Sequence, residues 1–180
     1  MPSVKVKVDI LPPVIKWINT EFVGIPVIAD RPNVPRPGLP YFALLMTTPI
    51  LKVGSRDNIE HVSDTKWNIG GQRRFTLSVR AYVSPEAKQF FDAQDMLTQL
   101  QDSLEDDVRR EELTKAGLAV WFSNDILDIT ELLETGFEPR AQLDIEMGIA
   151  SNRDAELGAI EKVKIEATVD GVTDPEFEIP

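Results

Sequence analysis

One stretch of the chain sets a histidine, a hydroxyl and a carboxylate side by side: Ile59-Glu60-His61-Val62-Ser63-Asp64. These are the residue types of a base, a nucleophile and an orienting acid. A catalytic triad is assembled in space from separated segments, so adjacency in sequence is no argument for one. No G-x-S-x-G elbow accompanies them. A second stretch, Asp102 followed by Glu105-Asp106-Asp107, offers oxygen ligands to a divalent cation. The D-x-D-x-D-G spacing of a calcium loop is absent, and a solvated acidic helix end accounts for the cluster more simply. Gly70-Gly71 is no phosphate loop: neither Lys-Ser nor Lys-Thr follows, and the continuation reads as strand. Arg73 and Arg74 have the chemistry to hold a phosphate. A net charge of -11 argues against a general nucleic-acid binder, which needs clustered Lys and Arg. The chain has no cysteine and a single histidine, which excludes disulfides, thiolate chemistry and multi-histidine metal sites. The expectation is therefore no catalytic residue, no metal and no cofactor.

The elements that must position these residues follow from periodicity. Val4, Val6 and Val8 alternate with Lys5 and Lys7 as a short edge strand. A helix is expected from about Leu11, with Pro12 and Pro13 tolerated in its first turn and Gly24 at its end. Ile25 to Ala29 reads as a strand. Asp30 to Pro40 holds four prolines and reads as a stiff, extended connector. Tyr41 to Val53 is β-rich, and Gly54 to Lys66 is a polar arm or hairpin. Trp67 to Ile69 begins a return strand that Gly70-Gly71 is expected to break or bulge. From Arg74 to Val83, Phe75, Leu77, Val79, Ala81 and Val83 share one face.

Ser84-Pro85-Glu86 carries the signature of a helix start, and Ala87, Phe90, Leu97, Leu100 and Leu104 form the apolar stripe behind it. A further helix is expected over 107–116. Strands are expected at Leu118–Phe122 and Leu127–Leu132, then a turn at Glu134-Thr135-Gly136. A long strand follows on which Ala141, Leu143, Ile145, Met147 and Ile149 alternate with polar residues. Ser151 to Gly158 reads as a linker, residues 160–169 as a last strand, and 170–180 as an acidic tail. Of the tryptophans, Trp17 and Trp121 read as core anchors, while Trp67 lies in a polar stretch and is the one expected at an interface.

This order predicts an α+β fold: an antiparallel or mixed sheet with helices packed on one face, a hairpin arm at 52–66 and an appended C-terminal strand. Residues 1–169 are expected to form one domain. Phe75, Leu77, Val79, Ala87, Phe90, Leu97, Leu100, Leu143 and Ile145 should share its core. No apolar run approaches the roughly 20 residues of a membrane helix, and no signal-peptide pattern opens the chain. A soluble protein without a membrane partner is expected.

Charge is segregated. Residues 31–80 carry a net +5, whereas 86–112 carry -6 and 125–180 carry -11. Two unlike surfaces suit head-to-tail pairing between copies, which closes into rings.

Arg36-Pro37-Gly38-Leu39-Pro40-Tyr41, Gly71-Gln72-Arg73-Arg74-Phe75-Thr76-Leu77-Ser78-Val79-Arg80-Ala81-Tyr82, the amphipathic helix behind them, Glu138-Pro139-Arg140-Ala141-Gln142-Leu143-Asp144-Ile145 and Ile160-Glu161-Lys162-Val163 together resemble the tail-terminator, or neck-terminator, proteins of tailed phages. The resemblance covers roughly residues 31–169. It implies a compact subunit of a hexameric ring in the virion, assembled in the host cytoplasm. Such a ring caps the tail tube and joins the tail to the head connector. Its partners would be further copies, the tube protein, connector or neck proteins and the sheath, with DNA passing through the lumen without specific binding. The resemblance carries over no catalytic residues. Within this reading, the interface falls on Arg36, Arg56, Trp67, Arg73 and Arg74 from the basic region, and on Asp106 and Asp107 from the acidic one. Two alternatives from other classes are a metal-dependent hydrolase using the acids near Asp106 and a monomeric module binding peptides at an exposed sheet edge.

Overall fold

The computed structural model describes residues 10–31, 33–63, 66–85, 92–133, 136–156, 168–169 and 172–173. In chain order the elements are α1 (Leu11–Glu21), β1 (Val27–Ala29), β2 (Tyr41–Met46), β3 (Leu51–Lys52), β4 (Asn58–Ser63), β5 (Lys66–Tyr82), α2 (Ala93–Ser103), α3 (Glu111–Lys115), β6 (Leu118–Ser123), β7 (Leu127–Asp128), β8 (Glu131–Leu133), β9 (Gly136–Glu138), β10 (Arg140–Glu156), β11 (Thr168–Val169) and β12 (Val172–Thr173). The fold is α+β with a mixed sheet, as the periodicity predicts. Among the described residues no helix is long and apolar enough to cross a membrane. The chain divides into two compact units, residues 1–57 with 71–151, and residues 58–70 with 152–180.

The first unit is built on strands in the order β1-β2-β5-β10-β6. The β1–β2 pair is parallel, Val27 opposite Phe42. The β2–β5 and β10–β6 pairs are antiparallel, Leu44 opposite Val79 and Ile149 opposite Leu118. Alternation along β5 sends Phe75, Leu77, Val79 and Ala81 into one core with Leu143, Ile145 and Met147 of β10. The helices supply the other half of that core. From α1 come Val14, Trp17 and Ile18; from α2 come Met96, Leu97 and Leu100. One polar group enters it with a partner: Trp17 Nε1 donates to Ser103 Oγ at 3.0 Å, and Ser103 donates to Leu100 O at 2.7 Å. Of the expected core, Ala87 and Phe90 lie outside the described residues, and the remaining seven belong to this cluster.

Several boundaries differ from expectation. The predicted helix start at Ser84-Pro85-Glu86 leads into residues 86–91, which lie outside the described residues; α2 starts at Ala93, and the extended backbone of Asp92 (φ -92°, ψ 147°) interrupts a continuous helix before it. Asp favours such cap positions over helix interiors. The following helix is the single turn α3. Asp106 Oδ1 accepts the Val108 N–H at 2.9 Å, and this local bond holds a turn where helix was expected. The segment predicted as one strand at 127–132 forms two short ones, β7 and β8. β10 runs on to Glu156, through most of the predicted linker. Trp121 is no core anchor. It is 42% exposed and lies over Gly148, where a Cβ would stand 2.5 Å from its indole ring.

In the second unit, β4 and residues 66–70 form an antiparallel hairpin, Asn58 opposite Gly70 and His61 opposite Trp67. Gly70-Gly71 does not break β5; the register shift falls between His61 and Ser63. Gly70 is instead a point of close approach, since a Cβ there would lie 2.7 Å from Asn152 Oδ1. β11 and β12 form a second hairpin, Val169 opposite Val172. Residues 160–167 of the predicted last strand, and the edge strand predicted at 4–8, lie outside the described residues.

Candidate functional site

The face of the first unit's sheet opposite the helices carries its own small cluster. Alternation that sends Phe42 and Leu44 to the core turns Tyr41 and Ala43 the other way, and Tyr82 of β5 joins them. Register sets Tyr41 directly opposite Tyr82, and their rings stack at 4.6 Å and 7°. The proline loop runs past this pair and brings the Arg36 guanidinium to 5.7 Å from the Tyr82 centroid, while Arg140 reaches 5.3 Å. Burial raises the Tyr41 hydroxyl pKa; the nearby Arg36 charge pulls the other way. Arg140 is braced by Glu138 at 3.0 Å and by Glu131. Burial works against its charge, but these carboxylates outweigh it and raise its pKa. Between the proline loop and β2 lies a cleft of about 410 Å³ with Arg31, Arg36, Tyr41 and Tyr82 in its wall.

A second exposed feature is apolar. β6 ends the strand order and presents Trp121 and Phe122. Leu127 follows on β7, and Leu132 of β8 stands opposite Phe137 of β9 with both side chains more than half exposed. Large apolar side chains left exposed on neighbouring strands mark association surfaces more often than free ones.

The residues singled out from sequence are dispersed. Arg36 lies in the cleft wall, and Arg56 is exposed in the turn before β4. Trp67 is half-buried in the second unit against His61, ring centroids 4.6 Å apart at 60°. Arg74 is exposed on β5, 3.4 Å from Glu146. Asp106 pairs with Arg109 at 3.4 Å, and Asp107 with Arg110. Among the described residues, Arg36, Arg56, Arg73 and Arg74 form no ion pair with Asp106 or Asp107 within the chain. The stacked tyrosines and Arg140 were not legible as site residues. Tyr82 shows in the sequence only as an outward position on β5, and nothing local ties it to Tyr41.

Arg73 is committed elsewhere. It donates to both Asp57 oxygens at 2.9 Å and to Gln72 O at 3.0 Å, fastening the turn that precedes β4. Gly71 leaves the room: a Cβ there would meet the Asp57 carboxylate and stand 2.7 Å from Arg73 Nη1. The Arg73 hydrogen bonds hold the Asp57 carboxyl pKa below its ordinary value; burial opposes, and the Arg73 and Lys52 charges add to the lowering. A carboxyl lowered in the fold stabilises it fully above its unfolded pKa of about 3.9, and that stabilisation is lost as pH falls through the folded value. Asp57→Asn is therefore expected to lower the denaturation midpoint at pH 7. The gap from the parent should close as the pH falls below about 4. A gap constant from neutral to strongly acid pH would show that the pair acts by shape and not by charge.

A family model described as phage neck terminator protein matches residues 12–174. No curated protein matches the chain.

Proposed function

The chain belongs to the phage neck terminator family, and from that premise we propose that its copies form a hexameric ring that caps the tail tube and joins the tail to the head connector. Membership makes it a structural component of the phage tail and neck that works among other tail and head proteins. The match over 12–174 is the observation that carries the proposal, because it spans the helices, the whole main sheet and the arm.

The surfaces suit this role. The exposed apolar side chains between Trp121 and Phe137 and the charged surface around Arg36 are two unlike sets on one unit, as a head-to-tail contact requires. Arg56, Trp67 and Arg74 face Asp106 and Asp107 of the next copy, Arg36 meets a different acidic segment of a neighbouring copy, and Arg73 serves the base of the arm. Residues 1–169 act as one subunit with the hairpin as its arm. The ring works without catalysis or cofactor, meets the sheath and connector at its rim, and lets DNA pass through an acid-rich lumen that repels phosphate. Assembly takes place in the host cytoplasm.

Light scattering tests the ring. The expected mass is a multiple of 20.2 kDa, alone or with the tube protein, and it should fall with added salt as screening shortens the charge contacts. A mass that stays at one subunit with tube protein present would overturn the ring.

A further inference from the structure

The cleft on the open face holds two guanidinium groups that no described carboxylate neutralises. Among the described residues Arg31 and Arg36 have no ion pair, whereas the neighbouring Arg80 is held by Asp30 at 3.1 Å, and Arg140 by Glu131 and Glu138. Beneath them lies the Tyr41–Tyr82 stack. Guanidinium groups beside an apolar wall that includes Val34 and Leu45 suit a carboxylate-rich segment that carries an apolar side chain of its own. Arginine takes carboxylates through paired N–H bonds. Pro35, Pro37 and Pro40 stiffen the loop that presents Arg36, so little freedom remains to be lost on binding.

We propose that this cleft receives residues 174–180 of a second copy. The segment reads Asp174-Pro175-Glu176-Phe177-Glu178-Ile179-Pro180, with three carboxylates, no cation and a central phenylalanine. Bound in extended form, Glu176 and Glu178 project to one side and Phe177 to the other. That alternation offers carboxylates to the arginines and the ring to the apolar wall at Val34 and Leu45. Charge selects this occupant. In a chain with 30 acidic against 19 basic residues, the phosphates of a nucleic acid would be repelled by most of the surface, whereas this segment meets the two unpaired cations.

The inference rests on the reading that copies of this chain pack against one another. The absence of cysteine makes its test clean. Full-length Val34→Cys, with its cysteine in the cleft wall, is mixed with isotope-labelled full-length Glu178→Cys under mild oxidation. A disulfide joining labelled to unlabelled chain is expected to form at least about tenfold faster than with Gln99→Cys, an exposed position on α2. R31E with R36E in the Val34→Cys copy should remove the acceleration, and D174K with E176K in its partner should restore it. Arg36→Gln alone, a milder change, should slow the reaction several-fold while circular dichroism stays unchanged.

A rate equal to the Gln99→Cys control overturns the proposal, as does one indifferent to Arg31 and Arg36. So does a disulfide that forms only within one chain when both cysteines are placed there. Retention of duplex DNA that depends on Arg31 and Arg36, with an unchanged disulfide rate, assigns the cleft to phosphate and equally overturns it. Light scattering on the same samples separates the two readings: a ring without the cross-link sinks only the cleft, and a cross-linked pair without a ring sinks only the hexamer.

Discussion

Leu97→Ala is expected to remove about 2–5 kcal/mol of stability, a large share of the roughly 5–15 kcal/mol that holds a domain folded. Leu97 is fully buried on α2 within the cluster that contains Phe75, Leu77 and Val79 of β5 and Leu143 and Ile145 of β10. Truncation would lose the burial of three carbons and leave a cavity between a helix and a sheet that can close in only partly. Urea denaturation of parent and variant measures the effect. Leu132→Ala is the matching control. That side chain is 67% exposed on β8, so its truncation should change stability by less than about 0.5 kcal/mol. Equal shifts for the two variants would place the α2 stripe outside the cooperative core.

Shortening the arm is expected to abolish neck assembly while leaving the subunit folded. Asn58 pairs with Gly70 and Ile59 with Ile69, so replacing residues 60–68 by Asn-Gly joins Ile59 to Ile69 through a two-residue turn of the kind hairpins favour. Asp57 and Arg73 stay in place, which matters because removing Asp57 would leave Arg73 largely buried without its carboxylate. Every described residue of β4 is exposed, including Ile59 and Val62. A strand with apolar groups in water and little to bury within its own subunit contributes to a contact with another chain more than to its own fold. The shortened protein should match the parent in circular dichroism and denaturation midpoint, yet fail to complete necks when supplied to a phage lacking the native protein. Complete necks built from it would show that the arm has no part in assembly.

How much was legible in advance follows from the range of each interaction. The faces of β5 and β10, the stripe of α2 and the extent of α1 over Leu11–Glu21 could be read because side-chain periods of 2 and 3.6 are written in neighbouring residues. The charge segregation and the absence of thiol chemistry are likewise properties of the chain alone. The interruption at Asp92 and the turn at Asp106 could not be read because local Asp preferences override the helical stripe there, and the unbroken passage of β5 through Gly70-Gly71 because contacts from elsewhere override a local preference. Gly71 looks like a strand breaker until the Asp57–Arg73 pair is seen to occupy the space a side chain would need. The cleft is the extreme case. Tyr41 and Tyr82 are about forty residues apart, and only the β2–β5 register stacks them, while the proline loop sets Arg36 above. The sequence by itself determined which residues are apolar, which are charged and how each short segment alternates. Which distant segments meet, and therefore which arginines find a carboxylate within the chain, was decided by strand register, a choice among long-range pairings that no local period encodes.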